Sequence, residues 1–117
     1  MLYEAMLLEP TPNPSLLEAM EESRLETAAM ARAFCHFDAA AGFMEEGYLL
    51  KNAPRLDSVS GAIIAGRGDM CTPPLAAWDL AERWSGAKLE LVAHGGHRWD
   101  DPRIVQTLRS TFEELIA

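Results

Sequence analysis

The pattern of apolar and polar positions changes character about halfway along the chain. Up to residue 55 apolar residues recur at helical spacings interrupted by breakers, and beyond it short apolar runs alternate with amphipathic stretches. Leu2, Met6, Leu7 and Leu8 fit the continuation of a helix begun upstream. Pro10, Pro12 and Pro14 break it, since each removes a backbone donor and disfavours helix in the residue before it. Asn13-Pro14 reads as an N-cap and first helical position, predicting a short helix to about Met20. Leu25, Ala28, Ala29, Ala31 and Ala33 predict a longer one from about Arg24 to Phe37. A further short helical piece is expected over residues 42–50, ended by Ala53-Pro54.

The period then shortens. Residues 61–66, Gly-Ala-Ile-Ile-Ala-Gly, form an apolar run bounded by glycines and predict a strand buried on both faces. Thr72-Pro73 signals a helix running to about Trp84. Residues 88–93 alternate as a second strand, and Asp101-Pro102 caps a final helix ending near Ile116. Strand, helix, strand, helix is a βαβα unit with parallel strands and a right-handed crossover. Two parallel strands alone leave both sheet edges open. Either a larger fold or further copies of the chain must cover them.

Composition narrows the function classes. At 117 residues, 49% hydrophobic and 24% charged, the chain suits one soluble globular domain. No apolar run is long enough to span a bilayer, so no membrane partner is expected. Eighteen acidic against ten basic residues give a formal net charge of −8, which argues against a nucleic-acid partner. The opening MLYEAMLLEP carries acids where a secretory leader carries bases, so a cytoplasmic setting is expected. Two thiols are expected there unpaired: Cys35 as a small buried hydrophobe, Cys71 beside a candidate reactive loop. Arg67-Gly68-Asp69 spells an adhesion tripeptide, read here as chance.

In open α/β sheets, chemistry gathers on loops at the carboxyl ends of strands. The first such loop, residues 66–73, delivers Asp69; the second, residues 94–100, delivers His94 and His97. An acid after one strand and a histidine after the next suit a pair in which the carboxylate fixes the imidazole and the other ring nitrogen takes a proton. Two other readings stay open. Asp69 can be a turn cap with His97 an ordinary loop residue. Alternatively, His94 and His97 can chelate a metal with Asp100 or Asp101, though a clear third ligand is lacking. No metal and no cofactor is expected.

Four blocks carry a family resemblance. Gly66-Arg67-Gly68-Asp69-Met70-Cys71-Thr72-Pro73 followed by Ala77-Trp78-Asp79-Leu80 resembles the acid loop and next helix of proline iminopeptidases. Gly95-Gly96-His97 with Asp101-Pro102 is similar to their histidine loop, while Gly42-Phe43-Met44-Glu45-Glu46-Gly47 and Leu49-Leu50-Lys51-Asn52 resemble the segment leaving their helical cap. The resemblance implies an α/β fold, the C-terminal βαβα portion of an α/β-hydrolase preceded by helices of the cap domain. It places a cap remnant at residues 1–55 and core at 56–117, with Asp69 as triad acid and His97 as triad base. It also makes Glu4 a ligand of the substrate's free amine. Phe34 stands where the family carries a second such glutamate, and an aromatic ring offers that ammonium only a cation–π contact.

No Gly-x-Ser-x-Gly turn occurs in the sequence, and Ser58, Ser60, Ser85 and Ser110 lack its context. The family's nucleophile is therefore expected to precede residue 1. Three roles remain in view: the C-terminal part of a serine aminopeptidase, inactive alone and taking peptide substrates when complemented by an N-terminal half; part of a small-ester esterase; or a non-catalytic, self-associating or partner-binding module. A homo-oligomer is expected.

Overall fold

The computed structural model describes residues 14–117. The short helix α1 covers Pro14–Glu22 and α2 covers Arg24–Ala39. They are separated by Ser23, whose amide donates to the Ala19 carbonyl at 3.1 Å and whose carbonyl accepts from the Thr27 amide at 2.9 Å. Asn13, expected as the cap of α1, lies outside the described residues.

The helical piece expected over 42–50 is two pieces. A 3-10 turn spans Ala41–Phe43 and helix α3 spans Tyr48–Asn52. Gly42 (φ 63°) and Gly47 (φ 71°) both take left-handed backbone, which ends right-handed helix on either side of residues 43–46. A second 3-10 turn, Ala53–Leu56, leads toward the sheet.

Strand β1, Gly61–Gly66, pairs in parallel with β2, Ala87–Val92, in a register running from Gly61 opposite Ala87 to Gly66 opposite Val92. Helix α4 covers Pro74–Ala81 and α5 covers Pro102–Ile116; both pack against the strand pair. The chain is thus a mixed α/β structure consistent with part of an α/β-hydrolase.

Two local differences from expectation have physical causes. Helix α4 starts at Pro74 rather than behind a Thr72 cap, because the Thr72 hydroxyl is spent on Asp69, to which it donates at 2.7 Å. It stops at Ala81 rather than Trp84, where the chain turns to seat the Trp84 indole. That N–H donates to the carbonyls of Leu56 (2.8 Å) and Val59 (3.0 Å), closing the sheet's amino end. By contrast, Asp101 caps α5 as expected, accepting from the Arg103 amide at 2.9 Å.

The core is thin. Among the described residues the buried apolar side chains are Ala53, Val92 and Ile104. Strand β1, expected to be buried on both faces, is half-exposed up to Gly66, because α4 and α5 leave its flank uncovered. Cys35 is exposed on α2 rather than buried, for the same lack of a covering layer, and neither it nor Cys71 is in a disulfide. No helix among the described residues is long and apolar enough to cross a membrane.

Candidate active site

The carboxyl ends of β1 and β2 are stitched together by backbone bonds. The Arg67 amide donates to the Val92 carbonyl (3.0 Å), and the Gly68 amide to the Gly95 carbonyl (2.9 Å). Gly66 sits so close beneath the histidine loop that a methyl group there would collide with the carbonyls of Gly95 and Gly96. A side-chain-free residue is what lets the two loops meet.

Asp69 and His97 meet at this junction. The Nδ1 of His97 lies 2.9 Å from Oδ2 of Asp69. Asp69 is only 7% exposed, yet every contact on it is a donor. Oδ1 accepts from the amides of Cys71 (2.9 Å) and Thr72 (2.8 Å), while Oδ2 accepts from the Thr72 hydroxyl. Burial pushes this carboxyl up, but the Thr72 amide and hydroxyl and the His97 ring together outweigh it and hold the group below the usual carboxylate range. Asp69 is therefore an anion at neutral pH.

The contacts of Thr72 assign the tautomer of His97. The threonine proton goes to Asp69, so its oxygen, 3.1 Å from Nδ1, can only accept there. One proton on Nδ1 satisfies both neighbours and leaves Nε2 with a lone pair for a base's work. The ring is partly open to solvent, with 38% of its side chain exposed. It borders a cavity of about 350 Å³ that Asp69, Thr72, Trp99, Ile104 and Leu108 also line.

The other expected site residues fall elsewhere. Phe34 lies on α2, 57% exposed, and is not among the residues lining this cavity. Glu4 lies outside the described residues. The chelate of His94 and His97 with Asp100 or Asp101 does not form. Asp100 is gripped by the Arg98 guanidinium, and Asp101 caps α5 while pairing with Arg103. Among the described residues, the cluster of metal-ligand types that does converge is Asp69, Cys71 and His97. In the Arg-Gly-Asp tripeptide Arg67 is exposed but Asp69 is buried and committed to His97, so the tripeptide is not offered to a receptor.

Thr72 is the residue that sequence reasoning misassigned, as a helix cap. Its signal was available: an aspartate followed three residues later by threonine, in a loop, is the spacing at which the carboxylate collects the backbone amides ahead of it.

Comparison with known proteins agrees with this architecture. No family model matches the chain. It is 30% identical over 116 residues to a proline iminopeptidase of Arabidopsis thaliana, an alignment covering 98% of this chain and 30% of that protein. It is 37% identical over 81 residues to the Xanthomonas citri enzyme of that name, covering 68% of this chain and 26% of the relative. For the Neisseria meningitidis protein the figures are 30% over 100 residues, 85% and 32%. The chain thus spans about a third or less of the length of the curated relatives it matches. With that similarity, its parallel strand pair and its mixed α/β architecture, this chain is a proline iminopeptidase-like α/β-hydrolase part, corresponding to the C-terminal portion of that fold.

Proposed function

We propose that this chain supplies the acid and the base of a serine hydrolase of proline iminopeptidase type, with the nucleophile contributed from outside these 117 residues. The observation that carries the proposal is the Asp69–His97 contact, with Nδ1 turned to the carboxylate and the ring bordering the cavity. In the assembled site a serine hydroxyl attacks the substrate carbonyl and His97 takes its proton at Nε2. Asp69, already ionised, stabilises the resulting imidazolium, and His97 returns the proton to the leaving amine. The substrate class proposed is peptides with a free N-terminal proline. Glu4 is the proposed ligand of the substrate's amine. The Phe34 substitution also keeps small esters in view as substrates.

Without a nucleophile the pair has nothing to activate. The isolated chain should therefore hydrolyse proline p-nitroanilide and p-nitrophenyl esters no faster than its His97→Ala variant. A wild-type rate above that background would overturn the missing-nucleophile part of the proposal.

A second reading, a self-associating module, is favoured by a different observation. Leu25, Phe34, Phe37, Leu49, Trp99 and Phe112 are all more than half exposed, and the described sheet has two open edges. A second copy of the chain is the proposed cover.

A further inference from the structure

We propose that Asp69, Cys71 and His97 form a binding site for a zinc-like divalent ion, with three protein ligands and an open fourth position. The proposal does not depend on the hydrolase reading. Donor atoms of the three residues, one carboxylate oxygen, one thiol sulfur and one imidazole nitrogen, all lie within 4.8 Å of one another. They come from two loops in different parts of the chain, so the cluster is a product of the fold and not of adjacency alone. Those loops are held against each other by the Gly68–Gly95 backbone bond and the close approach at Gly66. Much of the ordering cost of a chelate is therefore already met.

The chemistry of the donor set selects the ion. A mixed nitrogen, sulfur and oxygen site suits a borderline-soft cation and disfavours magnesium or calcium, which take oxygen ligands. Zinc bonds of about 2.0–2.3 Å in tetrahedral arrangement place neighbouring donors roughly 3.3–3.6 Å apart. The Nδ1–Oδ2 separation of 2.9 Å lies just inside that spacing, and the 4.8 Å limit on the remaining pairs lies outside it. Closing the cluster to that spacing is left to the three side chains. Binding releases one proton, from the Cys71 thiol, and the His97 proton moves from Nδ1 to Nε2, so that the neutral ring ligates through Nδ1 in place of its bond to Asp69. Asp69 is already anionic, and Thr72, with its hydroxyl on Oδ2, stays as the partner that orients the ligating carboxylate.

Occupancy has a consequence for the pair. An ion that takes a carboxylate oxygen of Asp69 and a nitrogen of His97 removes the base from proton transfer. A divalent ion of this class is then an inhibitor of any assembly in which the pair works.

The test uses the full chain, freed of metal by chelator and titrated with Zn²⁺ in a calorimeter and with Co²⁺ in a spectrophotometer. The expected result is one ion per chain, with a thiolate-to-cobalt charge-transfer band. Cys71→Ser should abolish the band, and both it and His97→Ala should weaken binding by at least about tenfold. Cys35→Ser should change neither. Far-UV circular dichroism of each variant, with Cys71→Ala as a second sulfur-free form, separates lost ligands from lost fold. Absence of uptake by the wild-type chain would overturn the proposal, as would a band that persists without Cys71 or disappears with Cys35.

Discussion

Thr72 is the residue on which the geometry of the pair turns. Its hydroxyl donates to Asp69 Oδ2 and faces His97 Nδ1, so it fixes at once where the carboxylate points and which ring nitrogen holds the proton. Thr72→Val keeps the shape but removes the donor, leaving a buried oxygen with one partner fewer. We expect a loss of about 1–2 kcal/mol in a denaturant titration, together with a change in the His97 ring signals. Gly66 matters through what it lacks. Gly66→Ala drives a methyl into the Gly95 and Gly96 carbonyls, and backbone cannot step aside as a side chain does. A cost of about 2 kcal/mol or more is expected, with His97 displaced as its loop lifts.

At the level of elements, α5 depends on its first turn. Asp101 accepts from the Arg103 amide and pairs with the Arg103 guanidinium, and that guanidinium, partly opposed by desolvation, holds its carboxyl below the usual carboxylate range. Asp101→Ala should destabilise the chain by about 1 kcal/mol, read as a lower denaturation midpoint. The pH dependence follows in sign. A carboxyl whose folded pKa lies below its unfolded value stabilises the fold above about pH 4, and that contribution fades as pH falls further. The wild-type advantage over Asp101→Ala should therefore shrink in acid. This helix, both strands and their parallel pairing were legible in the sequence, because Asp101-Pro102 and the glycine-bounded run at 61–66 are local signals. The end of α4 was not, since it is decided by Trp84 reaching Leu56 and Val59 far back in the chain. Nor was the exposure of β1 and Cys35: an apolar run announces that a residue belongs under cover, not that these residues provide the cover. That the loops carrying Asp69 and His97 lie side by side was legible from the two parallel strands they follow. The role of Thr72 and the place of Cys71 in the cluster needed the tertiary meeting of two loops.

At the scale of the molecule, many apolar side chains among the described residues face outward around a core of few residues. Trp99, 83% exposed beside His97, is the clearest case. Burying such surface is favourable by about 25 cal/mol per Å², so the chain should not persist as a compact monomer. Size-exclusion chromatography with light scattering should give a mass above the 12.9 kDa of one chain. A sharp monomer peak would show that the open sheet edges are tolerated. The proposed role rests on the Asp69–His97 pair, and the most direct measurement of that pair is a nitrogen-15 spectrum of the histidine rings at neutral pH. A His97 ring protonated at Nδ1 and bare at Nε2, losing that preference in Asp69→Asn, is the predicted result. A ring protonated at Nε2, or one indifferent to Asp69→Asn, would contradict it.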